Sequence, residues 1–134
     1  MIEVIKNNDQ VILIVEDEGA LSGVLQNKLT RHGFVVEVAS DGIEGLEKMK
    51  TLQPKLVLLD LIMPNKNGFQ VLEEAKADQN TKNIAIVIFS NLNQDEDRVR
   101  AKKLGAVDFW VKSDMAINDV VGKINEIVQH VKAE

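Results

Sequence analysis

Acidic, hydroxyl and ammonium side chains stand directly after short apolar runs at four separate places in this sequence. Glu16, Asp17 and Glu18 follow the run Val11–Val15, Asp60 follows Leu56–Leu59, Ser90 follows Ile84–Phe89, and Lys112 follows Val107–Val111. Carboxylates gathered from distant parts of a chain repel one another, and each has its pKa raised unless a cation intervenes. A hard divalent ion, Mg²⁺ first, resolves that conflict because it takes oxygen ligands octahedrally and keeps some of its waters. An ionised Asp60 is also an oxygen nucleophile able to form an acyl phosphate. Phosphoryl transfer asks for in-line placement and charge neutralisation more than for acid–base chemistry. Mg²⁺, the Lys112 ammonium, the Ser90 hydroxyl and peptide N–H groups near the run ends can supply both. Taken singly, an acid or serine after such a run is usually a helix cap or a solvated turn, and a lysine a surface charge. The joint placement at four matching ends points to chemistry.

The elements that must position these residues are legible from spacing. Val11–Val15, Phe34–Val38, Leu56–Leu59, Ile84–Phe89 and Val107–Val111 read as strands. The first, third and fourth are continuously apolar, as strands covered on both faces are, while the second and fifth are mixed and suit sheet edges. Between them, helical spacing links Leu21, Val24, Leu25 and Leu29; Ile43, Leu46 and Met49; Phe69, Leu72 and Ala75; and Ile117, Val120, Val121, Ile124, Ile127, Val128 and Val131. Lys123, Glu126 and Lys132 mark the wet side of the last, the clearest amphipathic helix. Asp41 before Glu44 and Asn93 before Glu96 read as helix caps with a reciprocal acidic partner. The fourth helical segment has a weak apolar stripe (Leu92, Val99, Leu104), with Asp95, Glu96 and Asp97 at its start and Arg98, Arg100, Lys102 and Lys103 toward its end. That charge order suits a helix dipole. A β-α unit repeated five times predicts an α/β fold, a doubly wound five-stranded parallel sheet with right-handed crossovers. In that architecture ligands bind beyond the carboxyl ends of the strands, where strand order reverses.

Composition narrows the classes. The chain has 134 residues, 45% apolar and 28% charged, with a formal net charge of −5, ordinary usage for one globular domain. The acidic balance argues against direct DNA binding. With no cysteine and two histidines, thiolate catalysis and Cys-based metal sites are excluded. The apolar runs fall far short of the ~18 residues of a membrane span, and the amino terminus has no secretory pattern, so a cytoplasmic protein without membrane contact is expected. Residues 1–10 read as a tail preceding the first strand, with Asn7-Asn-Asp9 a turn or part of that tail, and residues 11–133 as one domain, leaving no room for an output domain.

Four segments carry a family resemblance: Ile14-Val-Glu-Asp-Glu18, Leu58-Leu-Asp-Leu-Ile-Met-Pro64 with Asn67-Gly68 following, Ile88-Phe-Ser-Asn91, and Gly105-Ala-Val-Asp-Phe-Trp-Val-Lys112. Their order and spacing resemble the receiver domain of two-component response regulators over nearly the whole chain. The resemblance implies a flavodoxin-like (βα)5 fold of the stand-alone type, acting in phosphorelay signal transduction. Asp60 would accept a phosphoryl group from a sensor histidine kinase, a histidine phosphotransfer protein or a small acyl phosphate. Asp17 would bind Mg²⁺ directly, with Mn²⁺ able to substitute; Glu16 would act mostly through water, and Asp60 and the Ile62 backbone carbonyl would complete the protein ligands. Lys112 would pair with a phosphoryl oxygen. Ser90 would swing inward to bond another, and Phe109, the switch aromatic, would follow it. Such a protein turns over no external substrate; it catalyses its own Asp phosphorylation and a slow dephosphorylation. Its output would be a downstream protein target met through the fourth helix, fifth strand and fifth helix, as a monomer or a phosphorylation-linked homodimer. The shallow surface of Gly19, Ala20 and Gly23 would meet the phosphodonor.

Two positions depart from the family pattern. Ser113 stands where proline, often cis, usually follows the lysine; a non-proline cis bond costs ~3 kcal/mol, so the bond here is either trans or strained. Asn91 stands where a small residue is usual and either enters the phosphoryl pocket or caps the fourth helix. These departures sustain an alternative, a phosphorylation-independent interaction module with the same fold. Pro64 and Gly68 read as loop-formers, and Gly105 as the end of the fourth helix. A flavin domain is disfavoured by the acidic loop after the first strand and by four phenylalanines, one tryptophan and no tyrosine. A P-loop is excluded by the absence of its motif, and a haloacid-dehalogenase-type phosphatase by Ile62, where a second Asp would stand.

Overall fold

A computed structural model of the chain describes residues 11–132, with side chains through 129. The tail read over residues 1–10, Ala133, and the side chains of Val131 and Lys132 lie outside the described residues. The strands are β1 (Val11–Val15), β2 (Val35–Ala39), β3 (Leu56–Leu59), β4 (Ala85–Ser90) and β5 (Asp108–Val111). They alternate with α1 (Gly19–Arg31), α2 (Gly42–Leu52), α3 (Gly68–Ala77), α4 (Asp95–Lys103) and α5 (Ile117–Lys132). All strand pairs are parallel, in the order β2-β1-β3-β4-β5. The two mixed strands lie at the sheet edges, as their composition implies. The second, fourth and fifth strands each begin one residue later than their sequence patterns predict.

Side chains alternate across the sheet, so each face needs its own cover. Leu13, Val15, Val57, Leu59, Ile86 and Ile88 pack with Leu46 and Met49 of α2 and Phe69 and Leu72 of α3. Ile12, Ile14, Leu56, Leu58, Val87 and Phe89 pack with Leu25 and Leu29 of α1 and Val120, Ile124 and Val128 of α5. Two helical faces differ from their apolar spacing. Val24 is exposed, and Ile43 is 48% exposed although Leu46 and Met49 are buried. In α2 the cause is Gly45: a Cβ there would lie 2.9 Å from Val15 Cγ1. The helix approaches β1 on its glycine edge, and Ile43 is turned outward.

Caps follow the expected chemistry but not always the expected residue. The Asp41 carboxylate accepts the Glu44 N–H at 2.8 Å, while Glu44 accepts from the Ser40 N–H at 2.8 Å, one residue before the cap. For α4 the expected Asn93–Glu96 pair is replaced by its neighbour: the cap is Gln94, whose N–H donates to Asp97 Oδ2 at 3.1 Å. Helix α4 buries only Ala101. The Arg100 guanidinium lies 4.1 Å over the Phe69 ring and that of Arg98 5.0 Å over Phe109. Cation–π contact therefore supplies part of what its apolar stripe lacks. Gly105 ends α4 as expected, at φ +108 with its N–H on the Lys102 carbonyl at 3.0 Å.

Candidate functional site

The backbone hydrogen bonds of β1 and β3 run one residue past each strand. Glu16 N–H donates to the Ala39 carbonyl at 2.9 Å and Asp60 N–H to the Val15 carbonyl at 3.1 Å. Since Val15 is in register with Leu59, Glu16 and Asp60 leave the sheet side by side, between the two halves of the strand order. Both are buried, at 3% and 6% exposure. The Lys112 ammonium, delivered from the end of β5, lies between them, 2.6 Å from Glu16 Oε1 and 2.9 Å from Asp60 Oδ2. Glu16 Oε2 accepts the Glu18 N–H at 3.1 Å, and Asp60 Oδ1 accepts the Ile62 N–H at 3.3 Å. Burial pushes the Glu16 carboxyl above its ordinary value, and the bonds from Lys112 and the Glu18 N–H offset this only in part. Burial alone would lower Lys112, but its bonds to Glu16 and Asp60 outweigh that and hold the ammonium charged.

Asp17 completes the cluster from the exposed side: Glu16, Asp17 and Asp60 each offer a carboxylate oxygen, all within 4.8 Å of one another. Three carboxyl groups around one ammonium form an all-oxygen donor set with one face in solvent, which fits a hard divalent cation that keeps its waters. Glu18, the residue before α1, makes no side-chain cap bond and is not among these oxygens. Ser90 is fully buried, and its Oγ accepts the Leu92 N–H at 3.3 Å within its own loop. Phe109 is half-buried, in register with Ile88 and packed on the same side of the sheet as Ile88. The structure thus gathers Glu16, Asp17, Asp60 and Lys112, and leaves Ser90 and Phe109 at the adjoining β4–β5 end.

The family description Response regulator receiver domain matches residues 12–125. The chain belongs to the response regulator receiver domain family. It is 35% identical over 101 residues to Protein PilH of Pseudomonas aeruginosa, covering 75% of this chain and 84% of PilH. It is also 35% identical over 101 residues to the DNA-binding dual master transcriptional regulator RpaA of Synechocystis, covering 75% of this chain but 42% of RpaA. Among solved structures, the CheY-like receiver domain protein of Methanospirillum hungatei superposes with a TM-score of 0.85 at 26% identity, covering 92% of this chain and 97% of that one. A receiver domain of the flavodoxin-like (βα)5 fold therefore carries the cluster. No helix among the described residues is long and apolar enough to cross a membrane.

Two features of this receiver domain were not legible as site residues. Gly68 is more than a loop-former: a Cβ there would stand 2.3 Å from the Asp60 carbonyl oxygen and 2.7 Å from Leu61 Cα. The start of α3 closes on the peptide that follows Asp60, with Gly68 N–H bonded to the Leu61 carbonyl at 2.9 Å. Gly68→Ala is expected to cost about 1–3 kcal/mol, since backbone must move to admit the methyl group; urea denaturation measures it, and an unchanged midpoint would contradict it. The second feature joins the two family departures. Asn91 does not cap α4, whose cap is Gln94; its side-chain carbonyl accepts the Ser113 N–H at 2.9 Å. The Lys112–Ser113 peptide is trans.

Proposed function

We propose that this receiver domain accepts a phosphoryl group on Asp60 from the phosphohistidine of a sensor histidine kinase or a histidine phosphotransfer protein. The observation that carries this reading is the buried Glu16–Lys112–Asp60 group with Asp17 beside it. In the transfer, a bond forms between an Asp60 carboxylate oxygen and phosphorus, and the phosphorus–nitrogen bond to the donor breaks, its electron pair leaving with the imidazole. Lys112, already on Asp60 Oδ2, stays with the negative charge as it spreads over the phosphoryl oxygens. Ser90 gives up the Leu92 N–H and turns its hydroxyl to a phosphoryl oxygen. Glu16, Asp17, Asp60 and the Ile62 carbonyl would hold Mg²⁺, or Mn²⁺ in its place, which when bound neutralises the incoming oxygens.

Output follows from the adjoining end of the sheet. When Ser90 turns inward, Phe109 follows it and leaves the Arg98 guanidinium, so the position of α4 changes. Val99 and Val107 are exposed, and a cavity of about 230 Å³ lies between Arg98 and Lys102 of α4 and Asp108 and Phe109 of β5. This face, with α5, meets a downstream protein rather than DNA. The donor approaches over α1, where a Cβ at Gly19 or Gly23 would meet nothing within 4 Å. Dephosphorylation is slow, because Ile62, 60% exposed, and Leu92 carry no polar group to orient water; a half-life of seconds would contradict this.

The test is the fluorescence of Trp110 during titration with Mg²⁺ and then beryllofluoride, which stands in for the phosphoryl group. Trp110 is buried, and its Nε1 donates to Asp108 Oδ2 at 2.8 Å. A Mg²⁺-dependent change, with one phosphoryl group gained by intact mass after acetyl phosphate, is expected. Neither signal appearing would favour the phosphorylation-independent module.

A further inference from the structure

β4 and β5 end level with each other, with Ser90 in register with Val111. Beyond them come Asn91 on one chain and Lys112 and Ser113 on the other. Here a side-chain amide takes over from the backbone: Asn91 Oδ1 accepts the Ser113 N–H at 2.9 Å, across 22 residues of sequence. Lys112 is therefore fixed on both sides, by the sheet before it and by Asn91 after it. The turn Lys112–Asp114 closes onto it as well, through the Met115 N–H on the Lys112 carbonyl at 3.3 Å. The same asparagine follows Ser90 directly, so one hydrogen bond joins the loop that carries the hydroxyl to the loop that carries the ammonium.

We propose that Asn91 is a positioning residue for phosphoryl acceptance: by holding the Ser113 N–H it keeps Lys112 seated between Asp60 and Glu16 and ties the Ser90 loop to the Lys112 loop. This rests on the phosphoacceptor reading above. Asn91 and Ser113 are both exposed, so water satisfies either group once the other is removed, and the bond adds little to folding stability. Its consequence lies in geometry, where small misplacements of a catalytic group lower rate steeply. Asn91 and Ser113 are thus one adaptation: the amide is useful only because residue 113 has an N–H to give.

The experiment measures phosphoryl uptake from acetyl phosphate with Mg²⁺ by intact mass, the thermal midpoint, and hydrogen exchange of the Ser113 amide without metal. Asn91→Ala is expected to slow uptake about tenfold, to speed exchange at Ser113, and to leave the midpoint unchanged. Ser113→Ala keeps the N–H and should match the native chain. Ser113→Pro removes it and should slow uptake, and the double variant Asn91→Ala/Ser113→Pro should be no slower than the slower single, since both delete the same bond. Native rates in Asn91→Ala, losses that multiply in the double variant, or a rate that falls only with the midpoint would each overturn the assignment. If the native chain itself gains no phosphoryl group, the phosphoacceptor reading fails and takes this role with it. A phosphorylated native chain with an unaffected Asn91→Ala removes the tether alone.

Discussion

An Asp60→Asn chain is expected to gain no phosphoryl group from acetyl phosphate and Mg²⁺, yet to fold at least as stably as the native chain. An amide oxygen is not the nucleophile that a carboxylate is, so uptake is abolished rather than slowed. The stability expectation follows from the neighbours. Glu16 and Asp60 are both buried and share the Lys112 ammonium. Asp60 is one of the causes that raise the Glu16 pKa. A raised folded pKa means that Glu16 stabilises the fold fully below its ordinary value and that this contribution is lost as pH rises through the folded value. Removing the Asp60 charge shrinks the shift, so less is lost at neutral pH, and Lys112 keeps a one-to-one partner in Glu16. Intact mass and urea denaturation at neutral pH read the two halves separately. A retained mass shift would place the acceptor elsewhere, and a lowered urea midpoint would mean that Asp60 holds the fold together in its own right.

Much of this was legible in the sequence for a physical reason: strand ends are where an apolar run stops, and residues at the ends of parallel strands share one edge. Glu16, Asp17, Asp60 and Lys112 could be assembled that way because β1, β3 and β5 end within a residue of where their apolar patterns end. The edge positions of β2 and β5 were legible too, since both are less apolar than the strands they flank. What was not legible depends on close approach between distant backbones. Ile43 has helical spacing with Leu46 and Met49, but Gly45 against Val15 turns it outward. Gly68 has the composition of a turn; that it abuts the Asp60 carbonyl is a tertiary fact. Asn93 and Gln94 are adjacent polar residues before α4, and spacing alone does not choose between them. Asn91 and Ser113 stood out singly, each as a departure, and only the fold shows them to be partners.

Lys112→Met is expected to cost about 3 kcal/mol of stability at neutral pH, because removing one member of a buried ion group leaves the others uncompensated. Glu16 and Asp60 would then face each other with no cation between them, and Asp17 is close enough to add to the repulsion. The sign of the pH dependence is fixed by Glu16. Its carboxyl is already raised by burial, and Lys112 is the strongest influence holding it down, so without Lys112 it rises further. The deficit should therefore be largest at neutral pH and should shrink as pH falls through the folded Glu16 value, where the proton replaces the ammonium. Mg²⁺ should do the same at neutral pH, since an ion that binds only the folded carboxylate cluster stabilises it by mass action. Urea denaturation at neutral and acid pH, with and without Mg²⁺, separates these effects. A deficit equal in acid and indifferent to Mg²⁺ would mean that Lys112 acts through packing of its stem, and that the carboxylates need no cation. A deficit erased by either would identify the three carboxylates as a charge cluster held in tension by one ammonium, which is the electrostatic state an incoming divalent ion or phosphoryl group would exploit.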